Sequence, residues 1–148
     1  MRVLETDIEI DTTPEQVWAV LTDFPTFAEW NPFITSIEGS PSEGQRLAIT
    51  IRPPAARAMS FKPTVTASEP NRHLAWLGRL GLPRIFDGAH EFTIESNERG
   101  GTSFTQRETF RGVLVPLLAG TLKHTREGFE QMNEAIKQRA ESLANIRV

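Results

Sequence analysis

Apolar and polar positions alternate from the start of the chain. Leu4, Thr6, Ile8 and Ile10 fall on one side, and Val3, Glu5, Asp7 and Glu9 on the other. A period of two is the pattern of a strand with one buried face. Thr12-Thr13-Pro14-Glu15-Gln16 then predicts a helix start, with Thr13 as the cap, Pro14 at the first helical position and Gln16 completing a capping box. Val17, Trp18 and Leu21 share one side of a helix running to about Thr22. Asp23 and Pro25 begin a second short helix, which stops at Trp30-Asn31-Pro32 because proline disfavours helical geometry in the residue before it. Trp18 and Trp30 are assigned to packing these short helices.

From Phe33 the pattern becomes strands with turns between them. Ile34 to Glu38 is a short strand, and Leu47, Ile49 and Ile51 mark the inner face of the next, which Pro53-Pro54 stops. A fourth strand is predicted from about Met59 to Ser68, with Phe61 and Val65 inward, followed by a turn at Glu69-Pro70-Asn71-Arg72. A fifth holds Leu74 and Trp76, and Gly78 to Arg84 is a glycine and proline loop. Ile85 to Gly112 reads as a long hairpin whose Glu98 to Gly101 turn draws on glycine's access to positive φ. Centred near Arg99, it sets Ile94 against Phe104, Phe92 against Gln106 and His90 against Glu108. From about Val113 to Leu143, Leu118, Leu122, Thr125, Phe129, Met132, Ile136, Ala140 and Leu143 recur at steps of three or four, so one long helix carries one buried stripe. Only the concave face of a curved sheet can cover that stripe. Gly120 and Gly128, each costing about 1 kcal/mol of helix propensity, mark a bend or a close contact. The expected fold is α+β: a curved antiparallel sheet of seven strands around a C-terminal helix, with two short helices after the first strand.

Composition narrows the function classes. The 148 residues, 39% hydrophobic and 24% charged, suit one domain spanning residues 1–148. A net charge of -3 without basic runs argues against nucleic acid as a partner. There is no cysteine, which removes disulfides and thiol chemistry and leaves a cytoplasmic setting as the default. No stretch approaches ~18 uninterrupted apolar residues, so neither a signal peptide nor stable membrane insertion is expected.

Candidate chemistry gathers on the inner face of the hairpin. Phe86, Phe92, Ile94, Phe104 and Phe110 make that face apolar, yet His90, Gln106 and Glu108 share it. Buried polar groups need partners, and these satisfy one another or meet a ligand. His90 and Glu108 are candidate acid and base on a carbonyl compound, Gln106 would orient it, and Thr125 is placed to face Gln106 from the helix. The same His90 and Glu108 also read as a buried, hydrogen-bonded structural pair. Phe61, Trp76, Phe92, Phe104, Phe110, Leu118, Leu122 and Phe129 are candidate ligand contacts and equally candidates for ordinary core. Gly88, between Phe86 and His90, allows bending or a close approach. His73 and His124 lie on other elements, so no metal site is expected. The loops after the third and fifth strands and the entry to the long helix fall at one end of the sheet. Arg57, Arg79, Arg84 and Arg111 there suggest a cationic rim for a carboxylate or phosphate head, testable by comparing a fatty acid with its methyl ester.

TTPEQVWAVLTDFPTFAEWNPF near the start, Leu74-Ala75-Trp76, the His90, Phe92, Gln106, Glu108, Phe110, Gly112 series and the order of elements resemble the START-like helix-grip superfamily, also called SRPBCC. The likeness is to its polyketide cyclase/dehydrase-like branch and covers nearly the whole chain. The resemblance implies a helix-grip fold with a cavity between sheet and helix that holds an apolar or amphipathic molecule. No cofactor is expected. It does not imply one activity, because the superfamily includes lipid carriers, hormone receptors, aromatic cyclases and chaperone-ATPase activators. Binding of a hydrophobic or amphipathic small molecule is therefore the leading expectation. A cyclase, dehydratase or isomerase using His90 and Glu108 is the second, and a protein-interaction module gripping a partner through the edge strand near Ile34 to Glu38 or through the mouth is the third.

Overall fold

In the structure, a computed structural model that describes residues 1–79 and 85–146, the opening alternation becomes strand β1 (Arg2–Ile10). Helix α1 (Pro14–Thr22) starts where the capping residues lie: the Thr13 hydroxyl accepts from the Gln16 N–H at 3.3 Å, and Pro14 occupies the first turn. A 3-10 turn (Phe24–Thr26) and the one-turn helix α2 (Phe27–Trp30) follow. The turn after α2 is set by Asn31, whose Oδ1 accepts from the N–H groups of Phe33 and Ile34 at 3.0 and 2.9 Å. That Asx arrangement launches β2 (Ile34–Glu38), and β3 (Ala48–Ile51), β4 (Met59–Phe61), β5 (Thr64–Glu69), β6 (His73–Arg79), β7 (Asp87–Ser96) and β8 (Thr102–Arg111) complete the strands. A second 3-10 turn (Val115–Leu118) leads into the long helix α3 (Ala119–Ile146).

The strands form a five-stranded sheet in the order β1-β8-β7-β6-β5 and a three-stranded sheet in the order β2-β3-β4. The single strand expected from Met59 to Ser68 is thus divided into β4 and β5, giving eight strands rather than seven. The cause is Lys62-Pro63: proline has no N–H for the ladder, so regular pairing lapses there. The two sheets remain joined across the break. The Leu47 N–H donates to the Pro63 carbonyl at 2.8 Å, and Val65 exchanges backbone bonds with Gly44 and Gln45. The result is a curved wall that α3 crosses, which is the helix-grip arrangement.

The register of the β7–β8 hairpin is the expected one. His90 faces Glu108, Phe92 faces Gln106 and Ile94 faces Phe104. Gly100, at φ 78°, turns it, and the Asn97 carboxamide oxygen accepts from the N–H groups of Arg99 and Gly101 at 3.0 and 2.8 Å. The buried stripe of α3 is also as expected, with Leu122, Thr125, Phe129, Met132, Ile136 and Ala140 all inside. Gly128 is a point of close approach: a Cβ there would overlap the ring of Phe33, which packs edge-on against Phe129. The free edge of β1 is covered by α3, from which Arg126 and Lys137 donate to the carbonyls of Glu5 and Glu9 at 3.2 and 2.9 Å. No helix among the described residues is long and apolar enough to cross a membrane.

Candidate functional site

Strand alternation delivers Thr6 from β1, Gln106 and Glu108 from β8 and His90 from β7 to the inner face of the sheet, and α3 lays Phe129 and Asn133 over them. The polar atoms form one continuous chain. His90 Nδ1 lies 3.1 Å from Glu108 Oε1, and His90 Nε2 lies 3.0 Å from Gln106 Oε1. Gln106 Nε2 donates to Asn133 Oδ1 at 2.7 Å and to the Phe129 carbonyl at 3.2 Å, and Asn133 Nδ2 donates to Thr6 Oγ1 at 3.0 Å.

The direction of every bond near His90 follows from the backbone. The Phe129 carbonyl can only accept, so the group of Gln106 facing it is the amide nitrogen, and the Gln106 oxygen is left facing His90. Nε2 of His90 therefore carries a proton. Between Nδ1 and Glu108 Oε1 lies a second proton, on one atom or the other, since two bare acceptors would repel at 3.1 Å. The imidazole is held among aromatic rings, stacked on Phe92 at a centroid distance of 4.4 Å, with Phe129 at 4.9 Å and Trp76 at 5.5 Å.

Access to this chain of bonds is uneven. Gln106 is 0% exposed. The Glu108 side chain retains 17% of its accessible surface against 5% for His90. Glu108 Oε2 leans over Gly88, where a Cβ would stand 2.6 Å from it. Gly88 thus leaves room for a carboxylate, rather than for a bend of the strand or for the helix.

The expected site residues divide accordingly. His90, Gln106, Glu108, Trp76, Phe92 and Phe129 are brought together, with Phe104 stacked behind Phe92 at 5.9 Å and Phe110 on Phe86 at 5.6 Å. Phe92, Phe104 and Phe129 are fully buried, so in this structure they close on one another as core. Phe61 stands apart, half-buried beside Gly78. Thr125 does not face Gln106; its hydroxyl donates to the Thr121 carbonyl at 3.2 Å, and Asn133, two turns further on, takes that place. Asn133 and Thr6 are the residues missed. Each had a signal: Asn133 is four residues after Phe129 on the buried stripe, and Thr6 is the polar member of an apolar strand face. Leu122 is buried in the helix stripe, and the side chain of Leu118 lies outside the described residues, as does Arg84.

The proposed rim needs correction. Arg79, Asp87 and Arg111 are cross-strand partners in one row, and alternation from the inward His90 turns that row to the opposite face of the sheet. Asp87 stands between them, 3.9 Å from Arg79, while Arg57 is exposed in the loop after β3. Among the described residues, two shallow concavities lie on the outer surface. One, of about 500 Å³, is on the small sheet by Ser36, Thr50 and Ser60, and the other, of about 590 Å³, is on the outer side of α3 beside Pro32.

A family model described as polyketide cyclase / dehydrase and lipid transport matches residues 1–145. No curated protein matches the chain significantly. Solved structures do. The aromatase/cyclase Zhui from Streptomyces sp. R1128 has a TM-score of 0.77 at 15% identity, over 95% of this chain and 93% of that one. A START superfamily protein from Mycobacterium smegmatis has a TM-score of 0.73 at 18% identity, over 95% and 98%. A protein from Mesorhizobium loti has a TM-score of 0.70 at 23% identity, over 93% and 95%. At these identities the likeness is one of fold.

Proposed function

The chain belongs to the polyketide cyclase / dehydrase and lipid transport family, and from that premise we propose that it binds a hydrophobic or amphipathic small molecule between the sheet and α3. One observation carries this reading: a hydrogen-bonded polar chain runs through an apolar interior and is open to solvent at one end, Glu108. Partial exposure eases the burial of the carboxylate, and it also leaves one polar group within reach of a ligand, as a binding site requires. The described walls are packed, so the ligand enters at the Glu108 end and displaces side chains there. The test is native mass spectrometry of the freshly purified protein followed by denaturing extraction. A bound apolar metabolite supports the reading; a protein that arrives empty and takes up no lipid-like or aromatic compound removes it.

A second reading has its own support. The lone pairs of Glu108 Oε2, backed by the proton held between His90 and Oε1, suit a general base that takes a proton beside a carbonyl, and a cyclase, dehydratase or isomerase would use Glu108 in this way, with Gln106 holding His90 in place. His90 itself is occupied at both ring nitrogens, so it acts behind Glu108 and not on the substrate directly. Turnover of any extracted ligand by the wild type, lost in His90→Ala, would place this reading first. An unchanged ligand and a modest change in affinity would keep binding first.

A further inference from the structure

The bond directions that fix His90 also fix what Glu108 offers to a ligand. Gln106 is held by the Phe129 carbonyl and Asn133, so its oxygen takes the Nε2 proton of His90, and the other imidazole proton is shared with Glu108 Oε1. Whether that proton sits on Nδ1 or on Oε1, Glu108 Oε2 is left with lone pairs and no hydrogen: it is one oxygen of a carboxylate in the first case and the carbonyl oxygen of a carboxylic acid in the second. No hydrogen bond ties Oε2 to another described residue. The Glu108 side chain keeps 17% of its accessible surface. Oε2 occupies the space above Gly88, where no Cβ stands, with Phe110 beside it, and the ring of Phe61 covers the cross-strand partner Gly78.

From this geometry we infer that, on the binding reading given above, the ligand is a hydrogen-bond donor: an apolar or aromatic body bearing a hydroxyl or N–H group, which donates to Glu108 Oε2 in the notch over Gly88. This reverses the preference that the arginines suggest in the sequence. A carboxylate-headed ligand would bring two acceptors face to face, and Arg79 and Arg111 are on the wrong side of the sheet to relieve them.

Three probes with one body separate the alternatives: 2-naphthol, 2-methoxynaphthalene and 2-naphthoate, titrated into the full-length protein by calorimetry or fluorescence. The expected result is that 2-naphthol binds about tenfold more tightly than either of the others, the contribution of one well-made hydrogen bond. Glu108→Gln keeps the preference in weaker form, because its amide can donate to His90 Nδ1 and leave a carbonyl where Oε2 was. Glu108→Leu removes the acceptor and with it the preference. Equal binding of 2-naphthol and 2-methoxynaphthalene, or tightest binding of 2-naphthoate, overturns this inference and leaves the binding function standing. Binding of none of the three overturns this inference as well, and the binding function is then decided by the native mass spectrometry given above. The wild-type comparison decides between these outcomes even where a variant fails to fold.

Discussion

Asn133 carries more consequence than its side chain suggests. It donates to Thr6 and accepts from Gln106, joining helix to sheet and helping the Phe129 carbonyl hold the Gln106 amide. Asn133→Leu should therefore act twice. Leaving buried polar groups without partners costs about 1–3 kcal/mol, readable as a lower midpoint in urea unfolding. It also leaves the Phe129 carbonyl as the one remaining acceptor holding the Gln106 amide, so the His90 Nε2 resonance, expected in the protonated range of a ¹⁵N spectrum for the wild type, should shift or broaden in the variant. Loss of stability with an unmoved His90 spectrum would show that Asn133 does not set the histidine. Gly128 poses a competition of another kind. Alanine gains about 1 kcal/mol of helix propensity over glycine, but its Cβ would collide with Phe33, and overpacking in a tight core costs about 1–3 kcal/mol. The collision should win, so Gly128→Ala is expected to be destabilised, with partial recovery when Phe33→Leu is added.

The hairpin and the long helix were readable because each has an unbroken period. Alternation fixed the inner face from Phe86 to Phe110, the Asn97 to Gly101 turn fixed the register, and together they set His90 against Glu108. What the pattern could not reach was contact between distant elements. Which residue of α3 meets Gln106 depends on the height at which the helix crosses the sheet, and that height is set by packing such as Phe33 against Gly128 and Phe129. Thr125 and Asn133 both lie on the buried stripe, and only the crossing tells them apart. The Arg79 and Arg111 expectation failed for a different reason: chain ends were read as one rim without carrying the alternation through to them. The C-terminal part of α3 makes a further attachment. Glu141 accepts from Asp11 N–H at 2.8 Å and from Lys137 at 2.7 Å. Burial alone would raise its pKa, but the Lys137 hydrogen bond, the Asp11 N–H and the Lys137 charge outweigh it and hold the carboxyl below the usual value of 4.5. A depressed folded-state pKa gives stability that is present above the unfolded value and is lost as pH falls through the folded one. Glu141→Gln should then cost about 0.2–1 kcal/mol at pH 7 and nearly nothing at about pH 2, where both proteins carry an uncharged side chain. An equal deficit at both pH values would mean that the ionised carboxylate is not what matters.

The polar attachments between helix and sheet are unevenly placed. Among the described residues, those from α3 to β1, to β8 and to the loop after β1 arise at Arg126, Phe129, Asn133, Lys137 and Glu141, and Arg139 pairs with Glu29 of α2 at 3.6 Å. The first turns of α3, over the Gly78 and Gly88 end of the sheet, are held by apolar contacts such as Leu122, with Thr125 bonded only within its own helix. Local opening is easiest where buried polar links are fewest, so a ligand reaching Glu108 should find the helix loose at its start and fixed along the rest. Amide hydrogen exchange can measure this directly. Amides of residues 123–126 are expected to exchange at least about tenfold faster than those of residues 130–140. Saturation with 2-naphthol should slow the first group and leave the second unchanged, because binding at Glu108 closes the loose end and has nothing to add where Gln106 and Asn133 are already joined. Uniform protection along α3 in the free protein, or slowing by the ligand confined to residues 130–140, would place entry elsewhere and break the link between the open end of the polar chain and the route to it.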